Sequence, residues 1–217
     1  MDEQPDGVRR DPLKGAGHAP WLRNALASLE GFEQIPAWRE SGRQIERVAV
    51  TVLFTDIVDS TAKVAALGDR HWHALLDSHH ALVRRALAGY RGREIDTTGD
   101  SFFAAFECAA RAIRCACTIA DAVCPLGITV RAGLHAGECE VMDKKLGGLT
   151  VHIGARVVML AGAGEVLVSG AVKDLVTGSG FTFLDRGIQS LKGVPGEWRL
   201  YVVHREPPFG PLISPVA

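Results

Sequence analysis

Two short segments of the chain carry side chains able to do chemistry together. Val52-Leu53-Phe54-Thr55-Asp56-Ile57-Val58-Asp59-Ser60-Thr61 is answered about forty residues later by Thr97-Thr98-Gly99-Asp100-Ser101. Each ends an apolar run with a carboxylate at a turn. A single turn aspartate is ordinarily only a turn former, but two that converge make a site. Paired hard carboxylates with open positions suit two Mg²⁺ or Mn²⁺ ions about 3.5–4 Å apart, which clamp phosphoryl oxygens during an in-line displacement.

The elements must bring the two carboxylates together. Residues 48–54 are rich in β-branched side chains and break at Asp56, placing it at a strand tip, with Ser60 or Thr61 available to cap a helix that begins there. The Gly99-Asp100 pair reads as the turn of a hairpin between strands 94–97 and 102–106. Periodicity continues the order: strand 48–55, helix 61–88, strand 93–97, strand 102–106, helix 107–123, strand 127–135. That is an α+β, ferredoxin-like βαββαβ core, in which the first and third strands are antiparallel neighbours. The end of the first then meets the start of the third, and Asp56 meets Asp100. Further elements are expected at 138–142, 149–161, 165–169, near 170–176, 181–185 and 198–204.

These motifs resemble the class III nucleotidyl cyclases, with an F-x-D-I-x-x-S/T segment and an x-T-x-G-D hairpin. Arg131-Ala132-Gly133-Leu134-His135-Ala136-Gly137 is similar to the family's R-x-G-x-H-x-G strand, Val151-His152-Ile153-Gly154-Ala155-Arg156 to its V-N-x-A-A-R helix, and Leu191-Lys192-Gly193-Val194 to its L-K-G turn. The five motifs keep family order over about residues 46–204. His152 in place of the usual Asn resembles the mycobacterial-type members. The resemblance implies an adenylyl cyclase that converts ATP to 3′,5′-cyclic AMP and pyrophosphate in a homodimer, with two Mg²⁺ or Mn²⁺ ions per site. A guanylyl cyclase, or a low-activity nucleotide-binding pseudo-cyclase, is the alternative.

By the same resemblance, Asp56, the Ile57 carbonyl and Asp100 are metal ligands, and backbone N–H groups from Val58 to Thr61, Ser60 and Thr61 included, cradle the β- and γ-phosphates at a helix N-terminus. Arg131 and Lys192 match triphosphate contacts. His152 and Arg156, one helical turn apart, share a face; Arg156 stabilises charge on the α-phosphate, for which its permanent charge and forked donors suit it, and His152 orients the ribose. The base-reading pair departs from the adenylyl pattern. Asp96 stands where Lys is usual and Lys145 where Asp is usual, an exchange of charges. Asp96 with Lys145 could read adenine in reverse, or Asp96 could accept from the N1–H and N2–H of guanine.

Composition bounds the rest. With 217 residues, 47% hydrophobic, 23% charged and a net charge of −1, the chain holds one well-buried domain and lacks the basic excess that nucleic-acid or anionic-membrane binding requires. The N-terminus Met1-Asp2-Glu3-Gln4-Pro5 has neither positive leader nor apolar core, so a cytoplasmic protein is expected. The expected organisation is a disordered leader and helical arm over 1–45, the catalytic domain over 46–205, and a Pro-rich tail over 206–217. Five cysteines without metal-ligand spacing read as reduced packing residues. His71, His73, His79 and His80 on the long helix read as solvated or interface surface.

Overall fold

The computed structural model describes residues 46–142 and 145–205. The leader, the helical arm and the Pro-rich tail expected over 1–45 and 206–217 lie outside the described residues. Strands β1 (Arg47–Ile57), β2 (Arg93–Thr98), β3 (Ser101–Phe106), β4 (Val130–Met142), β5 (Lys145–Gly147), β6 (Val166–Ser169), β7 (Phe183–Ser190) and β8 (Glu197–Val203) form one sheet. Its order is β2-β3-β1-β4-β6-β8-β7, with β5 paired to β4. Helices α1 (Ser60–Leu67), α2 (Asp69–Gly89), α3 (Ala109–Ala122), α4 (Leu149–Leu160) and α5 (Gly170–Leu175) complete the α+β fold. β1 is antiparallel to both β3 and β4, and β2 to β3, which is the ferredoxin-like core expected from the element order.

Strand alternation divides the core into two layers. Leu53 and Ile57 of β1, Phe102 and Ala104 of β3, and Val130, Ala132 and Leu134 of β4 face α2 and α3, where Val83, Ala112, Ile113 and Ala116 meet them. Val52 and Phe54 point the other way, to Ala155 and Val158 of α4. The Phe54 and Phe103 rings stack at 4.5 Å and 7° on that face. The α4 layer is unusually close because two glycines permit it. A Cβ on Gly133 would lie 2.2 Å from the Val158 backbone nitrogen, and one on Gly154 would lie 2.7 Å from the Val52 side chain.

Four features differ from the sequence reading. The helix expected over 61–88 is two helices, because Gly68 adopts φ 74°, ends α1 by donating its N–H to the Val64 carbonyl, and begins α2 by accepting from Trp72. The strands expected at 127–135 and 138–142 are one, β4, running through Gly137. That glycine is no turn: a Cβ there would lie 2.6 Å from Thr150 Oγ1, whose hydroxyl caps the approach of α4 by donating to the Glu138 carbonyl at 2.7 Å. The short strand β5 was not foreseen, and β7 extends well beyond 185.

Candidate active site

Register alone delivers the carboxylates to one corner of the sheet. β1 pairs with β3 through Thr55↔Phe102, and Thr98↔Ser101 closes the β2–β3 hairpin, so the Gly99-Asp100 turn lies just beyond the tip of β1. Gly99 takes φ 60° as the first residue of this two-residue loop, the left-handed conformation that its sequence position anticipates. Asp56 is 5% exposed, and both of its oxygens are engaged. Ser101 Oγ donates to Oδ1 at 2.7 Å, while Arg131 donates to Oδ2 through Nε at 3.1 Å and through a terminal nitrogen at 2.5 Å.

Asp100 is held differently. Burial first, and then the negative charge of Asp56, raise its pKa above the ordinary 3.8, against the opposing hydrogen bonds from its own N–H, the Ser60 hydroxyl and the Ile57 N–H. Asp100 Oδ2 is buried without a hydrogen-bond partner among the described residues. Two carboxylates that repel each other, one with an orphaned oxygen, fit a divalent cation. Among the described residues no group of three His, Cys, Asp or Glu side chains forms a metal cage. A two-carboxylate set whose remaining ligands are carbonyls, waters and substrate phosphates is the usual arrangement for Mg²⁺.

The turn after β1 differs in detail from the expectation. Asp59, with φ 56°, holds the N-cap position, and Ser60 opens α1 without capping it. The Ser60 hydroxyl acts on Asp100 instead, opposing the rise of its pKa. The Val58 N–H is taken by the Thr129 carbonyl at 2.8 Å, so the expected cradle from Val58 to Thr61 loses its first donor. Thr61 is exposed at the helix start.

Arg156 and His152 lie on α4, on the sheet face that carries Asp56. Arg156 is 7% exposed and its Nε donates to the Lys192 carbonyl at 2.9 Å. The L-K-G turn therefore anchors the arginine through its backbone, while the Lys192 side chain is exposed. Burial lowers the pKa of Arg156; burial, and then the Arg156 charge, lower that of His152. His152 is thus biased toward the neutral ring, able to donate or accept.

A β-bulge between Glu94 and Asp96 resets the alternation of β2 and places Asp96 opposite Phe103, on the α4 face. Asp96 is exposed, its Oδ1 accepting from the Thr97 N–H at 2.9 Å. Lys145 is exposed at the start of β5, opposite Met142 at the far end of β4 from Arg131. The strand register does not make neighbours of Asp96 and Lys145.

Three features of the site lie beyond the sequence reading: the Ser101 and Arg131 contacts to Asp56, and a buried histidine. Ser101, beside Asp100 in the motif, serves Asp56 across the sheet. Arg131 reaches Asp56 because the two are direct cross-strand partners, which only the register reveals. The histidine cluster is not all surface. His79 is 0% exposed behind the hairpin, edge-on to Phe102, with a pKa lowered to about 4 chiefly by burial. His80 Nε2 lies 2.9 Å from the Gly99 carbonyl. The spacing of buried Trp72, His79, Val83 and Ala86 on one helical face was the available signal.

Sequence and structure comparisons place the chain in a family. Residues 44–205 match the family model of the adenylate and guanylate cyclase catalytic domain. An uncharacterized protein of Mycobacterium tuberculosis is 33% identical over 162 residues, covering 71% of this chain and 56% of the relative. The crystal structure of the adenylyl cyclase CyaB from P. aeruginosa shares the fold with a TM-score of 0.70 at 20% identity, covering 76% of this chain and 98% of that one. The guanylate cyclase domain of RhGC from Catenaria anguillulae, solved in complex with GTP, gives a TM-score of 0.67 at 21% identity, covering 73% and 98%. The chain belongs to the adenylate and guanylate cyclase catalytic domain family. It spans about half the length of the mycobacterial relative that it matches.

Proposed function

We propose that the chain is an adenylyl cyclase that converts ATP to 3′,5′-cyclic AMP and pyrophosphate, in a homodimer with two Mg²⁺ or Mn²⁺ ions per site. The observation that carries this reading is the convergence of Asp56 and Asp100, with the orphaned Oδ2 of Asp100 beside the charge of Asp56. Bound divalent cations would activate the ribose 3′-oxygen and stabilise triphosphate charge. In the reaction that oxygen loses its proton and attacks the α-phosphorus, and the bond to the pyrophosphate oxygen breaks.

The chain's own groups then have distinct tasks. Asp56, Asp100 and the Ile57 carbonyl would hold the cations. The N–H groups of Asp59, Ser60 and Thr61 at the start of α1 would cradle phosphate oxygens, with Arg131 and Lys192 adding positive charge. Arg156, fixed at Nε by the Lys192 carbonyl, would direct its terminal nitrogens at charge developing on the α-phosphate, and neutral His152 would orient the ribose. In the homodimer one protomer supplies the aspartates and its partner the α4 pair.

A guanylyl cyclase is the second reading, and the bulge that turns Asp96 to the site face favours it. A carboxylate there accepts from guanine N1–H and N2–H, whereas adenine needs the reversed pair with Lys145. Purified protein incubated with Mn²⁺ and either ATP or GTP, with cyclic product identified by mass spectrometry, tests both. Cyclic AMP as the main product is expected. Cyclic GMP in excess would overturn the adenylyl assignment, and no cyclic product from either would leave only a nucleotide-binding module.

A further inference from the structure

Asp56 already has a cation, and it belongs to the protein. The Asp56↔Arg131 pair sits inside an eleven-residue β1–β4 register that has no shift, so the two side chains are opposed by construction. Their side chains are only 7% and 18% exposed, and two guanidinium donors converge on Oδ2. With Ser101 on Oδ1, three of the roughly four acceptor sites of the carboxylate are filled. Asp100, its neighbour, keeps an unpartnered oxygen. The two carboxylates are therefore unequal: one is open to a cation and the other is satisfied. The further neighbour of the Arg131 guanidinium is the thioether of Met159 on α4, at 3.9 Å, a weak acceptor that offers no competing charge.

We propose that Arg131 is the resident counter-ion of Asp56, occupying in the metal-free chain the carboxylate that a divalent cation needs, and that the triphosphate draws it away when nucleotide binds. This rests on the reading of Asp56 and Asp100 as cation ligands. The exchange is purely ionic. Arg131 gives up the Asp56 carboxylate and takes phosphate oxygens, which accept its forked donors equally well, while Asp56 turns its freed oxygen to the incoming cation. Such an arrangement spares the chain an unpaired buried carboxylate when empty, and it makes cation binding at Asp56 conditional on an anionic substrate.

Nucleotide itself contributes metal ligands, so the deciding measurement is made without it. Free Mn²⁺ is counted by electron paramagnetic resonance during titration of the wild type, Arg131→Gln and Arg131→Lys, first alone and then with a non-cyclisable α,β-methylene ATP. Arg131→Gln is expected to bind Mn²⁺ about tenfold or more tightly than the wild type in the absence of nucleotide, because a hydrogen-bonded competing charge is gone. Arg131→Lys keeps the charge without the paired donors and should fall between the two, which preserves the test where the Gln variant does not fold. Unchanged or weaker nucleotide-free affinity in the folded variants would overturn the proposal and make Arg131 a plain support for Asp56. Wild-type protein that binds no Mn²⁺ even with the nucleotide analogue would overturn the cation reading of the aspartates themselves.

Discussion

Replacing Asp100 with Asn separates what the site costs the fold from what it gives to chemistry. In the metal-free chain this carboxyl is pressed by burial and by the Asp56 charge, and its Oδ2 has no partner among the described residues. Its folded pKa is raised, so the folded state holds the proton more tightly than the unfolded one. The resulting penalty is absent well below pH 3.8 and grows as pH rises from there toward the folded value, above which it is complete. Asn keeps an acceptor for Ser60 and Ile57 while removing the charge. Each tenfold loss of the carboxyl's acidity on folding costs about 1.4 kcal/mol, and in a chain of this size relief of that cost corresponds to a rise of roughly 3–5 °C in Tm. Thermal unfolding followed by circular dichroism at pH 7 in EDTA reads this directly. Asp100→Asn should melt higher than the wild type, with the gap closing toward pH 3. Mn²⁺ in excess of the chelator, added together with the non-cyclisable nucleotide analogue, should raise the wild type more than the variant. A variant that melts at or below the wild type in EDTA would refute the view that this carboxylate is held in tension for a cation.

The base pair, the buried histidines and the close helix packing give further expectations. Asp96→Lys with Lys145→Asp should keep or raise kcat/KM for ATP, whereas either single change should lower it; singles that match the double would show that the two residues do not read one base. His79 and His135 have pKa values lowered to about 4, so protons bind the unfolded chain more tightly and stability falls with pH below about 6.5. Urea unfolding should lose about 2 kcal/mol per histidine between pH 7 and pH 5, His79→Leu should remove its share, and an unfolding free energy that is flat over this range would contradict the burial. Gly133→Ala would set a Cβ 2.2 Å from the Val158 nitrogen and should destabilise the domain by about 1–3 kcal/mol or more in the same assay; an unchanged denaturation midpoint would mean that α4 can shift freely.

Local signals carried the site most of the way. Asp56 at a strand tip and Asp100 in a Gly-Asp hairpin turn follow from apolar runs and turn chemistry, and the βαββαβ order then makes them neighbours. What the sequence withheld depends on long-range geometry. The Asp56–Arg131 ion pair joins residues 75 positions apart through strand register. Gly137 reads as a strand break until Thr150 is seen against it. The β2 bulge that turns Asp96 has no unique residue signature, and Gly68 does not mark a helix break in sequence because the periodicity resumes beyond it. The polarity of His79 masks its place on a buried stripe.

The central claim is that one catalytic site needs the carboxylate pair of one protomer and the Arg156 helix of its partner. Asp100→Ala and Arg156→Ala chains, each inactive alone, are mixed, exchanged and assayed with Mn²⁺ and nucleoside triphosphate. Random pairing makes half the dimers mixed, each with one intact site of two, so activity should return to roughly a quarter of the wild-type level. No return of activity, with exchange into mixed dimers demonstrated by native mass spectrometry, would contradict it.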